Sequence, residues 1–274
     1  MCAVSLFDRL ELKPAEAFYL EVARSEFGGD VPADERNLAL RAAVLLRQRL
    51  GVRPGQSRGA LVHLEKRIPV GAGLGGGSSD AAAVLVGLSR LWHVASQPDL
   101  LSGAASQVGS DVPFFLSGGC RMARGRGELI SPAPMLPDCH VVIGCPPFTV
   151  QTGLAYELLS SHNRALRSSA ALTDALSKGD LQEVGRNLAN DFEEVIFPRR
   201  PLLADLKSAA LQAGASGSAL TGSGSAVFAL AEDEVVARAV ADSWADRARV
   251  FFARPLPQGV RLVIQGVGPE EENT

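Results

Sequence analysis

The densest chemical signal in the chain is Pro69-Val70-Gly71-Ala72-Gly73-Leu74-Gly75-Gly76-Gly77-Ser78-Ser79-Asp80. Five glycines fall within the seven positions 71–77, and a backbone without Cβ atoms lets a ligand come close. The segment lies between a strand-like and a helix-like stretch, so unpaired N–H groups at the helix start would face an anion. The helix dipole adds about half a positive charge at that end. Phosphate is the ligand that fits. Ser78 and Ser79 are placed to cap the helix or to reach phosphate oxygens. The plainer alternative, a turn that only caps a helix, does not call for so many glycines. Gly71, Gly73 and Gly76 satisfy GxGxxG, yet the acidic residue a dinucleotide fold wants about 20 residues on is replaced by the helical pattern Arg90-Leu91-Trp92-His93. A Walker A loop would place Lys directly after Gly76, where this chain has Gly77.

Two further segments carry chemistry. In Gly109-Ser110-Asp111-Val112-Pro113-Phe114-Phe115 a carboxylate stands between a glycine and a proline-stiffened apolar run, as a base beside a reacting hydroxyl would. Asp111 is the candidate base, although this motif taken alone reads better as an ordinary Asp in a turn or N-cap. Leu220-Thr221-Gly222-Ser223-Gly224-Ser225-Ala226-Val227-Phe228 is a second Gly/Ser loop, feeding a strand. It serves equally as a turn or as a source of N–H groups and hydroxyls for another face of a site. His63, His93, His140 and His162 show no metal spacing, and Cys2, Cys120, Cys139 and Cys145 form no CxxC pair and read as reduced thiols.

Regular elements must hold these loops. The opening residues, with Val4, Leu6, Leu10 and Leu12, predict a strand from the very start, and Glu16–Ala23 a second. From Asn37 the spacing turns helical, with Leu38, Ala42, Leu45 and Leu46 on one face and Gly51 as the stop. A loop at 53–59 precedes a strand at Ala60–Glu65, and a helix runs through Ala81, Val84, Leu85, Leu88 and Leu91. Three prolines within Ser131–Pro137 predict the link between two domains, 1–136 and 137–274. Beyond it the pattern predicts strands at Val141–Cys145, Ala226–Ala231 and Val250–Ala253. Helices are expected at Gly153–Ser160, Leu181–Phe192, Leu202–Ala213 and Glu232–Arg247, a loop at Ser160–Arg164 and a frayed tail at Pro269–Thr274. Strands and helices mix in both halves, so the class is α+β or α/β.

Composition sets the outer limits. The chain has 274 residues, 46% hydrophobic and 21% charged, which is globular and far from the signature of disorder. A net charge of -3 and a pI near 5.9 offer no broad positive field, so nucleic-acid binding is not expected and an anion must be held locally. The apolar runs fall short of the ~20 residues that cross a bilayer, and no secretory signal opens the chain; a cytoplasmic, membrane-free protein is expected.

Taken in order, Pro69–Ser79, Gly109–Phe115 and Leu220–Phe228 resemble the second and third motifs of the GHMP small-molecule kinases and the acidic motif between them. Glu65-Lys66-Arg67-Ile68-Pro69, Val108-Gly109-Ser110-Asp111-Val112-Pro113 and Asn37-Leu38 narrow the likeness to the branch that phosphorylates the 2-hydroxyl of cytidine diphosphate-linked methylerythritol, in the non-mevalonate isoprenoid pathway. The resemblance runs from about Val4 to about Gly268. It implies an α+β, two-domain fold: an N-terminal domain like ribosomal protein S5 domain 2 and a C-terminal ferredoxin-like α/β plait, with ATP, Mg²⁺ and the small-molecule substrate in the cleft between. By motif match, Pro69 to Ser79 would wrap the ATP phosphates, with Asn37 and Lys66 near the adenosine end and Asp111 as the base. Thr152 and Tyr156 would meet the cytidine, and Thr221, Gly222 and Ser223 would close the substrate side. Another kinase of the superfamily, acting on mevalonate or homoserine, and a nucleotide-binding protein without turnover are the competing expectations. Family members open with segments of the form PAKINL and DGYH, the first carrying a catalytic lysine. This chain has neither. It is therefore expected to be a fragment that starts at the family's next strand, and Lys13 stands in the wrong place to substitute.

Overall fold

The computed structural model describes residues 1–23, 31–51, 58–94, 98–161 and 169–263. The expected loop at 53–59 falls mostly outside them, as do the last three residues of the Ser160–Arg164 loop and the whole expected tail.

In the N-terminal half three strands form one sheet in the order β1-β3-β2. β1 (Arg9–Ala15) runs antiparallel to β3 (Gly59–Glu65), and β2 (Phe18–Ala23) runs parallel to it. Helix α1 (Leu38–Arg49) begins where the spacing predicts, because Asn37 accepts a hydrogen bond from the Ala39 amide and caps it. It buries Ala39, Ala42, Ala43 and Leu46 against α2 (Gly76–Leu91), which offers Ala81, Val84, Leu85 and Leu88. Side chains such as Leu46, Leu85 and Leu88 are fully buried, each worth about 1.5–3 kcal/mol. This packing anchors the helix whose first turn ends the glycine loop.

In the C-terminal half a four-stranded antiparallel sheet has the order β7-β8-β6-β9, from β7 (Gly217–Leu220), β8 (Val227–Ala231), β6 (His140–Cys145) and β9 (Arg249–Ala253). Strand β6 reads as the unbroken apolar run Val141-Val142-Ile143 because both faces of this sheet are buried. Val142 joins Leu203, Leu206, Val240 and Trp244 on one side, under α9 (Pro201–Gln212) and α10 (Glu234–Trp244). Val141 and Ile143 face the other side, where they meet Ala72 and Leu74 of the glycine loop. The glycine loop is thus seated on the C-terminal sheet.

Several expectations change in the structure. The opening residues make only single bridges, Cys2 with Cys120 and Val4 with Pro255, and a continuous strand starts at Arg9. The segment switches partner after Ala3, so no ladder can extend through it. The single helix expected over Leu181–Phe192 is two, α7 (Leu181–Arg186) and α8 (Phe192–Ile196), divided around Asn190. Helix α2 starts inside the glycine run rather than beyond it. Among the described residues six α-helices and strands escaped the sequence reading: α3 (Pro98–Val108), α4 (Val112–Ser117), β4 (Arg121–Arg124) and β5 (Leu129–Pro132), which form a hairpin, α6 (Ala170–Lys178), and β7. The first two residues of the proline-rich stretch belong to β5, and after β9 the chain returns to the N-terminal half, where the Leu256 amide donates to the Ala3 carbonyl.

Candidate active site

The loop between β3 and α2 alternates in hand. Gly71, Gly73 and Gly75 all have positive φ, between 70 and 78°. Gly75 is the left-handed N-cap of α2 and offers no side-chain acceptor to the first-turn amides, which stay open to a ligand. Ser78 and Ser79 do not cap the helix: both lie within it, and the Ser79 hydroxyl donates back to the Gly76 carbonyl at 3.1 Å. The second Gly/Ser loop docks directly on the first. Thr221 Oγ1 donates to the Gly73 carbonyl at 2.9 Å, and the Ala226 amide donates to the Ala72 carbonyl at 2.9 Å. A Cβ on Gly73 would stand 2.3 Å from the Thr221 carbonyl oxygen, so this junction admits glycine alone.

Asp111 precedes α4, whose Phe115 ring lies against Gly75; a Cβ there would come within 2.8 Å of it. Its carboxylate does not cap α4. Four acidic side chains, Asp8, Glu11, Asp80 and Asp111, line the cleft that contains the glycine loop. Asp8 and Asp80 hold Lys66, and Glu11 holds Lys13 at 3.0 Å. Among the described residues that leaves Asp111 as the cleft carboxylate without a cation. Burial raises its pKa, which strengthens it as a proton acceptor near neutrality.

Asn37 and Lys66 are both buried, and both have partners. Asn37 caps α1 and donates from Nδ2 to the Pro32 carbonyl at 2.8 Å. Lys66 Nζ pairs with Asp80 at 2.8 Å and with Asp8, whose carboxylate also accepts from the Arg67 and Ile68 amides. Burial pushes the Asp80 carboxyl up to about 7, against the pull of Lys66. The folded protein therefore binds a proton at Asp80 more tightly than the unfolded chain, whose ordinary value is 3.8. Stability from this group is present at low pH and is lost as pH rises from about 4 through about 7. Asp80→Asn, neutral throughout, is expected to exceed the parent Tm by much less at pH 5 than at pH 8. A Tm difference of the same size at both values would show that another group titrates.

On the far side of the cleft, α5 (Thr152–Ser160) places Thr152 and Tyr156 on one face, one turn apart. Thr152 Oγ1 lies 3.2 Å from Ser223 Oγ, which ties this helix to the second Gly/Ser loop. Tyr156 is 58% exposed, and its ring meets Phe192 edge-on at 5.0 Å. Loop 69–79, Asp111, Thr152, Tyr156 and 221–223 all line one cleft of about 2520 Å³, larger than the ~300–1,000 Å³ of a single-ligand pocket and able to hold two ligands. Three residues that position this cleft escaped the sequence reading. Asn190 donates to the Leu220 and Gly222 carbonyls, both at 2.8 Å, and Asp8 and Asp80 hold Lys66. The signal for Asn190 was the polar run Asn190-Asp191 inside an otherwise helical pattern.

No group of three His, Cys, Asp or Glu able to hold a metal occurs among the described residues, and no described helix is long and apolar enough to cross a membrane. The model of the GHMP kinases N terminal domain matches residues 37–119, and that of the GHMP kinases C terminal matches 172–249. The 4-diphosphocytidyl-2-C-methyl-D-erythritol kinase of Thermosynechococcus vestitus is 43% identical over 246 residues, 84% of this chain and 77% of the relative. The enzyme of the same name from Pelotomaculum thermopropionicum is 41% identical over 88% of this chain and 82% of its own length. A crystal structure of 4-(cytidine 5'-diphospho)-2C-methyl-D-erythritol kinase superposes with a TM-score of 0.74 at 35% identity, covering 92% of this chain and 87% of that one. A homoserine kinase from Cytophaga hutchinsonii, TM-score 0.76 at 23% identity, shares the fold.

Proposed function

We infer the function from the family: this chain belongs to the 4-diphosphocytidyl-2-C-methyl-D-erythritol kinases, a branch of the GHMP kinases. It is a kinase that transfers the terminal phosphoryl group of ATP to an alcohol, the 2-hydroxyl of 4-diphosphocytidyl-2-C-methyl-D-erythritol, in the non-mevalonate isoprenoid pathway.

The observation that carries the site assignment is the pairing, in one cleft, of open first-turn amides with a carboxylate that has no cation among the described residues. In our reading the amides at Gly76 and Gly77 and the loop from Pro69 to Gly75 hold the ATP phosphates. Phosphoryl transfer asks the protein mainly for placement and charge stabilisation, which a rigid amide-lined loop provides. Asp111 accepts the proton of the attacking hydroxyl at its carboxylate. Thr221, bound to Gly73, and Ser223, beside Thr152, hold the alcohol side against the phosphate side. Mg²⁺ bound with ATP would take most of its ligands from phosphate oxygens and water and would neutralise charge on the transferring group, leaving the Asp111 carboxylate for the proton.

Tyr156 is the aromatic surface for the cytosine ring, its edge already fixed by Phe192. A stacked base contributes about 1–3 kcal/mol. Tyr156→Ala is therefore expected to raise KM for the cytidine-bearing alcohol at least tenfold, about 1.4 kcal/mol, with KM for ATP unchanged; equal changes in both would place the cytidine elsewhere. The whole reading is tested by offering ATP with 4-diphosphocytidyl-2-C-methyl-D-erythritol, mevalonate or homoserine and following phosphorylated product. Turnover of the cytidine-bearing alcohol alone supports it, and turnover of either other alcohol overturns it.

A further inference from the structure

Lys66 and Asp80 stand at the two ends of the glycine loop, one residue past β3 and one turn inside α2. Their ion pair, 2.8 Å long, closes the neck of segment 67–79. Asp8 braces the same neck from the entry segment, accepting the Arg67 amide at 2.6 Å, the Ile68 amide at 2.8 Å and the Lys66 ammonium. The three side chains are 4, 1 and 3% exposed for Lys66, Asp8 and Asp80. The ammonium lies directly under the first turn of the helix, since a Cβ on Gly76 would stand 3.2 Å from Nζ.

This arrangement makes a poor device for stability. Two carboxylates share one ammonium, and Asp80 Oδ1 is buried without any hydrogen-bond partner. Buried ion pairs are often matched or bettered by apolar residues of the same volume, and an orphaned buried oxygen carries a desolvation cost. Asp8 alone would already pair Lys66 and hold the β3 side. What Asp80 adds is the link to α2, the element that carries the open amides.

We infer that Asp80 is a positioning residue for the nucleotide: acting through Lys66, it closes the neck of the glycine loop and holds the first-turn amides of α2 in place for the phosphates. The inference rests on the phosphate reading of that loop. With both carboxylates ionised the three groups carry a net charge of -1, so Asp80 does not attract an anionic ligand. Its contribution is geometric, through the acceptor it offers Lys66. A variant that keeps an acceptor without charge must then behave like the parent, and a variant that keeps neither must not.

The experiment compares Asp80→Asn and Asp80→Ala in the full chain, reading ATP affinity by calorimetry and KM for each substrate, with Gly73→Val as the loop control. Asp80→Ala is expected to weaken ATP about tenfold, the scale of coupling through a neighbouring residue, while KM for the alcohol stays within about twofold. Asp80→Asn is expected to restore ATP affinity to within about threefold of the parent on the same scale. Equal loss for both substrates, a lowered Tm with unchanged ATP affinity, or Asp80→Asn as weak as Asp80→Ala would each overturn the inference. If Asp80→Ala does not fold, Asp80→Leu, which fills the space without an acceptor, is judged by the same criteria. Gly73→Val separates the two levels of the argument. ATP affinity that survives it refutes the phosphate reading of the loop, and affinity lost there but kept in Asp80→Ala refutes only the role of Asp80.

Discussion

Asp111→Asn is expected to lower kcat by about 10²–10⁴, the range for loss of a positioned general base, with Tm and KM for ATP close to the parent. Asparagine keeps the size and one oxygen but cannot take the hydroxyl proton. The small expected effect on folding follows from the structure. Among the described residues the Asp111 carboxylate neither caps α4 nor pairs with a cation, so no fold contact there is lost with its charge. Its pKa is raised by burial, so the neutral variant also escapes a desolvation cost and Tm should not fall. The other three cleft carboxylates are already bound to lysines, which leaves none to replace it. Steady-state kinetics beside thermal melts provide the check. Turnover within a fewfold of the parent would remove Asp111 from the reaction.

Gly73→Val is expected to abolish measurable ATP binding, a loss of at least a hundredfold, or about 2.7 kcal/mol. Two effects add at this position. The backbone sits at φ 78°, where a β-branched residue is strained. The new Cβ would also stand 2.3 Å from the Thr221 carbonyl oxygen and 2.9 Å from that of Gly224, both backbone atoms with no rotamer to move aside. The loop must then leave either its left-handed turn or its seat on the second Gly/Ser loop. Both outcomes displace the amides at the start of α2. The core under α9 and α10 does not include this junction, and only the flanking Ala72 and Leu74 reach the core on the other face of the sheet, so far-UV circular dichroism should keep its native shape while calorimetry shows no ATP heat. Retained ATP affinity would show that the loop is only a connection.

The local conformation around the cleft was legible in the sequence because it is written in contiguous residues. Glycines at alternate positions announce a left-handed, close-approach backbone wherever they occur, and Gly71, Gly73 and Gly75 adopt that conformation. Leu38, Ala42, Leu45 and Leu46 at helical spacing announce a helix from Asn37 on, and α1 is that helix. The apolar run Val141 to Cys145 announces a strand, and β6 is that strand. Each of these follows from sterics or periodicity over a few neighbouring residues, which is information a sequence carries directly.

Long-range pairing is of another kind. Nothing local tells Asn190 that its amide will meet the Leu220 and Gly222 carbonyls some 30 residues on, or shows that this contact outweighs continuation of the helix from α7 into α8. Asp8 lies 58 residues from Lys66, and Thr221 lies 148 residues from Gly73. The sequence by itself determined the place of the glycine loop between a strand and a helix and the apolar faces of α1 and α2. Only the tertiary structure decided which cleft carboxylates are spent on lysines and which one has no cation among the described residues, because an ion pair or an acceptor in a dry interior is set by the distance between chain segments, and that distance exists only once both cores have packed.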